Sequence, residues 1–241
     1  MLIFAECCVL FSVGLLTGVA GGGAGLIILV LGTVFVGPEK ATMFATIVML
    51  IAQGCSAIRL RQSIRWDIVR WYAPISVPSI FAGTATMKPL PILVFQRLIG
   101  TVCILFAAVR CSGWESAVPK RRWLLFSQIA VSSYLGAVVK GAGLLGRSAI
   151  LSSLEKDQEV FVATSAMIGT FQNIAQLCLF WYFSFEWPQP FDIGLTVACT
   201  PIGVFVGHAI LPKISKKKFE YVQVGIIFLG GIYLLISSFF L

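Results

Sequence analysis

One cation stands inside a glycine-rich stretch of an otherwise apolar chain: Lys140 in GAVVKGAGL, residues 136–144. An earlier stretch, GVAGGGAGL at residues 18–26, shares the Gly-Ala-Gly-Leu ending and carries Gly22 where the second carries Lys140. Glycine costs about 1 kcal/mol per residue inside a helix. Gly21, Gly22, Gly23 and Gly25, and later Gly141 and Gly143, therefore mark places where a helix is expected to break. A helix restarting after such a break offers backbone N–H groups without intrahelical partners and about half a positive charge. Those groups bind anions, and the missing side chains let an anion come close. Lys140 adds a full charge at the second break, and Arg147 follows about one or two turns later. The competing reading is that these glycines only let helices pack closely.

Polar side chains that could complete such a pocket recur at helical spacing. Thr46, Met49 and Gln53 fall on one face at i, i+3 and i+7, and Thr164, Met167 and the pair Gln172 and Asn173 repeat the pattern later. Amides and hydroxyls donate to an oxyanion without the cost of another charge; their ordinary role is interhelical hydrogen bonding. Bond-making chemistry is not expected. An intramembrane enzyme needs a nucleophile with a base, or paired acids, at one depth, and a single histidine, His208, with Asp67 and Asp192 at segment ends does not supply that. His208 reads as a proton relay or as a helix-end residue. The cysteines show no C-x-x-C spacing and lie mostly in apolar runs, so no metal site and no cofactor is expected.

The elements that must position these groups are membrane helices. Hydrophobic residues make up 58% of the chain and charged residues 12%, which is bilayer material rather than a soluble core. Residues 1–20 lack a positive n-region and carry Glu6, so they read as a retained helix rather than a signal peptide. Apolar stretches fall at about residues 2–20, 24–36, 41–58, 71–87, 91–109, 123–139, 142–153, 160–183, 191–211 and 219–241. The stretches at 24–36 and 142–153 would reach only about 20 Å where a bilayer core needs about 30 Å. Each directly follows a glycine break.

The net charge of +8 sits in short loops between apolar runs, where it reports orientation and not nucleic-acid binding. Arg59, Arg61, Arg65 and Arg70, then Arg110, Lys120, Arg121 and Arg122, then Lys213 and Lys216 to Lys218, are expected on the cytoplasmic side. VGPEKA, KPLP and SFEWPQP are expected outside. The order of features also repeats: Gly18 with Gly136, GAGL with GAGL, ATIVM at Ala45 with ATSAM at Ala163, WDI with FDI, and FAG ending at Gly83 with FVG ending at Gly207. Each half then holds a broken pair that enters and leaves on one side, followed by three full spans, so the halves must be inverted. The fold class expected is an all-α polytopic membrane protein of two inverted repeats, each a broken re-entrant helix hairpin followed by three transmembrane helices. Its parts are a first repeat at residues 1–111, a basic cytoplasmic linker at 112–122 and a second, inverted repeat at 123–241.

The doubled glycine break near the start of each half, the AT helix after the first and the basic loop leading to Trp66 and Asp67 resemble the TauE/SafE family of sulfite exporters and related anion permeases. The resemblance covers essentially the whole chain. It implies a multi-pass protein of the bacterial inner membrane that moves sulfite, organosulfonates or sulfoacetate-type anions. Neither GAGLIILVLG nor GAGLLGRSAI has the proline common a few residues after the family's glycines.

Export of one negative charge from a negative interior gains about 2.3 kcal/mol per 100 mV, so no coupling ion is required. The substrate-binding residues expected are Gly21, Gly22, Gly23, Gly25, Thr46, Gln53, Lys140, Gly141, Gly143, Arg147, Thr164, Gln172 and Asn173. The partners expected are a small anionic substrate and the lipid bilayer, with a homodimer left open and nucleic acid not expected. The alternatives are a proton- or cation-coupled importer and a non-transporting membrane assembly protein.

Overall fold

The computed structural model describes residues 2–20, 25, 28–29, 38–111, 122–140, 143 and 158–210, with helical residues at 224–225, 228–229, 231–236 and 238. Every regular element among them is a helix: α1 Leu2–Ala20, α2 Pro38–Arg59, a 3₁₀ turn Arg61–Ser63, α3 Trp66–Met87, α4 Ile92–Cys111, α5 Arg122–Val138, α6 Gln158–Tyr182 and α7 Pro190–Ile210. The stretch Glu39–Arg59 of α2 and the whole of α7 are each 21 residues long and apolar enough to cross a bilayer, whose core needs about 20 helical residues. These bounds fall within a few residues of the apolar stretches, with one exception. Helix α3 starts at Trp66, five positions before the apolar run, because Asp67 favours a helix N-terminus and the backbone N–H of Arg65 is taken up by the Thr164 hydroxyl at 3.1 Å. The linker at 112–121, most of both short segments and the lysine cluster at 213–218 lie outside the described residues.

Packing follows a reciprocal pattern. Helix α1 lies along α7, α3 along α5, and α2 against α6, with α3 also touching α6 and α2 touching α7. Two glycine pairs explain the first seam. A Cβ on Gly18 would meet the Val204 carbonyl oxygen at 2.6 Å, and one on Gly207 the Leu15 carbonyl oxygen at 2.5 Å, while Gly14 and Gly203 sit closer still to the backbones of Thr200 and Phe11. Both helices thus bring a Gly-x-x-x-Gly face to the seam, so backbone meets backbone. In the α3–α5 seam Gly83 does the same against the Tyr134 carbonyl and Ala137. Gly100 on α4 likewise packs against Gly231 and Leu235.

The outer surface is apolar where a soluble protein would be polar. Phe81, Leu105, Val131, Ile174, Ile202 and Phe205 are all exposed, which water would penalise as an aggregation surface and lipid does not. At one end of the bundle Trp181, Tyr182 and Trp187 are exposed, the amphipathic aromatics that favour a membrane–water boundary. The same end holds the Lys40–Glu186 ion pair at 2.7 Å and a hydrogen bond from Lys88 to the Phe183 carbonyl. Lys40 donates a hydrogen bond to Glu186 and, through that bond first and its charge second, holds the loop carboxyl below its usual range. Helix α6 stops there by a Schellman motif: Ser184 takes a left-handed φ of 56°, and the Phe185 N–H bonds the Phe180 carbonyl at 3.0 Å. The rings of Phe180 and Phe185 close that cap at 4.7 Å. At the opposite end Ser63 donates to Glu159 at 2.7 Å, beside the Arg65–Thr164 contact.

Candidate anion site

Lys140 stands two residues after the end of α5, and it is 6% exposed. A lysine at bilayer depth costs at least about 2.5 kcal/mol, so its surroundings matter. The ammonium donates to Oε1 of Gln176 on α6, and Nε2 of the same amide donates to the Ala137 carbonyl at 2.8 Å. Gln176 is therefore oriented at both ends, with its oxygen toward the lysine. Its amide is neutral, so the bond satisfies a donor without cancelling the charge.

The first break reaches the same place. A Cβ on Gly25 would lie 3.3 Å from Cγ of Lys140 and 3.2 Å from Cγ of Met49. Met49, on α2, is also approached by the Thr17 hydroxyl, which lies 4.0 Å from its sulfur. Residues from α1, from the segment after the first break, from α2 and from the second break therefore share one buried neighbourhood. The second break folds back on its own helix: a Cβ on Gly143 would lie 2.9 Å from the Ser132 carbonyl oxygen, and one on Gly136 would lie 2.9 Å from Cα of Gly143. Only glycine fits at either point, and the chain reverses with Lys140 in the turn.

The amide face of α6 continues the polar lining. Asn173 donates to Oε1 of Gln53 at 2.9 Å across the α2–α6 seam, and both side chains are buried. Gln172 donates to the Ser133 hydroxyl on α5 at 3.1 Å. Two hydroxyls go elsewhere. Thr46 donates to the Thr42 carbonyl of its own helix at 2.7 Å, and Thr164 accepts from the Arg65 backbone at the end of the bundle. Gly21, Gly22, Gly23, Gly141 and Arg147 lie outside the described residues. Arg97 on α4 donates to the Ser238 carbonyl at 3.2 Å.

Gln176 and Ser133 were not among the residues singled out from sequence. The signal for Gln176 was present, since it lies three and four residues after Asn173 and Gln172 and so shares their face of α6. For Ser133 there was none, because its role depends on which face of α5 meets α6.

No curated protein and no solved structure matches this chain. A family model does: the one described as sulfite exporter TauE/SafE aligns with residues 7–234. That alignment runs from the first helix to the last helical residues and includes both breaks, Lys140 and the amide face of α6. With nearly the whole length accounted for, this chain, helical in every regular element among its described residues, belongs to the sulfite exporter TauE/SafE family, a family of membrane anion transporters.

Proposed function

We propose that the chain exports small sulfur-containing anions, sulfite or organosulfonate and sulfoacetate-type compounds, through a site where its two glycine-rich breaks meet. The observation that carries this reading is the contact between Gly25 and the buried stem of Lys140. It joins a residue of one break to the cation of the other. In this reading Lys140 is the counter-charge, held ready by Gln176. The backbone N–H groups of Gly21 to Gly23, Gly141 and Gly143 supply directional donors, and the positive ends of two helices face the anion. Gln53, Asn173 and Gln172 trade partners among themselves and the substrate; Arg147 stands as a further cation near the second break, whereas the Thr46 and Thr164 hydroxyls serve backbone contacts away from it. Neutral donors and one charge suit a small anion that must also leave.

The frame for this site is two inverted repeats. The reciprocal packing of α1 on α7 and α3 on α5, with α2 on α6 between them, supports it, as does the meeting of Lys40, Lys88 and Glu186 at one end of the bundle. Reporter fusions at residues 112–118 and 184–190 are expected to report opposite sides of a bacterial inner membrane.

The deciding experiment is uptake of labelled sulfite, sulfoacetate and sulfate into proteoliposomes under an imposed potential, beside Lys140→Gln. Saturable flux that falls by about tenfold or more in the variant, equivalent to about 1.4 kcal/mol of lost interaction, is the expected result. Flux indifferent to Lys140, or none of any anion, overturns the site and returns the glycines to helix packing.

A further inference from the structure

We infer that His208 is a proton-binding site through which the carrier responds to the pH difference across the membrane, an inference that rests on the anion-carrier reading above. The ring is 8% exposed, and its Nε2 lies 3.2 Å from the Ser56 hydroxyl on α2. The residue before it, Gly207, packs on α1, and a Cβ on Gly18 would come within 3.3 Å of the His208 backbone nitrogen. Gly18 opens the first glycine break. His208 is therefore wedged between the helix that enters that break and α2, which carries Met49 and Gln53 to the site.

The other glycine seam offers a comparison for this position. There Gly83 packs on Tyr134 and Ala137, at the end of the helix that enters the second break. Next to it stands Thr84, fully buried, with a hydroxyl that has no hydrogen-bond partner. Each break thus has one buried polar residue directly after the seam glycine, and of the two only His208 can bind a proton. Protonation changes the local bonding outright. The neutral ring can give or take a hydrogen bond with Ser56, whereas imidazolium can only donate, so a proton fixes the direction of the α7–α2 contact and adds a charge to it.

The charged side chains acting on the ring are Arg59, in the last turn of α2, and Glu159, in the first turn of α6. Cys55 is the other titratable group on that part of α2, with Glu39 and Lys40 at its far end. Among the described side chains α1 contributes only Cys7 and Cys8, far from Gly18, and α7 itself adds Asp192 and Cys199. No carboxylate neighbours the imidazole on its own helix, and a positive ring at the C-terminal turn of α7 faces the negative end of that helix dipole.

The test uses the full chain in proteoliposomes with the potential clamped at zero by potassium and valinomycin, and labelled sulfoacetate, with sulfite in parallel. One proton carried per anion lets one pH unit sustain about a tenfold accumulation ratio, and that ratio is expected for the wild type. His208→Gln is expected to bring it to unity. Exchange of labelled for unlabelled anion, read in the same vesicles, reports the anion site separately. Wild type that exchanges but never accumulates, or a variant that still accumulates tenfold, overturns the proton site and leaves the anion reading standing. Wild type that does not exchange overturns both. Should His208→Gln insert without exchanging, Ser56→Ala decides: a shifted pH midpoint of exchange supports the inference, and an unchanged one sinks it.

Discussion

The seam between α1 and α7 and the seam between α2 and α6 are built from opposite materials. In the first, Gly14, Gly18, Gly203 and Gly207 remove side chains so that the two backbones touch. In the second, Gln53 and Asn173 fill the space with a hydrogen-bonded amide pair. Lipid offers no hydrophobic drive for either contact, so one is held by close packing and the other by polar bonds. The consequence is mechanical. A backbone-to-backbone seam has one good register and loses contact when it slides, whereas an amide pair can exchange its partner for a substrate and return. On the function proposed above, the fixed seam carries the frame, and the exchangeable one sits in the amide face beside Lys140 that would catch and release the anion.

The sharpest way to break this comparison is to load the glycine seam. Gly203→Leu would drive a side chain into the Phe11 backbone, and overpacking of this kind costs about 1–3 kcal/mol even where side chains can yield. Here the obstacle is main chain, so little folded protein is expected in a detergent thermal-stability assay. Gly194→Ala, on the same helix but facing open space, is the control and is expected to be neutral or to stabilise by up to about 1 kcal/mol. The amide seam should respond less. Asn173→Leu strands the buried Gln53 oxygen and is expected to cost about 1–3 kcal/mol. The Gln53→Leu, Asn173→Leu double variant should recover most of that stability and still lose flux; a double variant that transports normally would strip the seam of its functional part. Smallest is the exposed Lys40–Glu186 pair at the end of the bundle. Glu186→Gln should leave the melting temperature unchanged near neutrality. Because the carboxyl's value is depressed in the folded protein, whatever the pair adds is present above the unfolded-state value and is lost as pH falls through the lowered one.

Much of this arrangement was readable in the sequence, and the reasons for the rest are physical. Hydrophobic length located the seven α-helices among the described residues, because the bilayer fixes that length. The pairing of GVAGGGAGL with GAVVKGAGL picked out Gly25 and Lys140, which the structure sets in contact. The partner of that lysine was not readable: Gln176 lies 36 residues on, and its depth depends on how α5 and α6 are set against each other. Thr164 was matched to Thr46 by the repeat, yet it serves the turn before α3, since a short hydroxyl bonds whichever backbone is within reach. FAG and FVG entered the sequence reading as matched features of the two halves. Their glycines turn out to be the points where the first helix of the opposite half rests.

The fold-back of the second break has a consequence for how such a protein can change. Gly136 and Gly143 clamp the two strands of the turn by backbone alone, so the apex between them is held in place whatever side chain it bears. Lys140 is a tenant of that apex rather than part of its scaffolding. A relative could install a longer cation, a neutral amide or a second hydroxyl at the same point and keep the turn, which, if Lys140 meets the anion as proposed, makes the apex a place where preference among anions can drift through single substitutions.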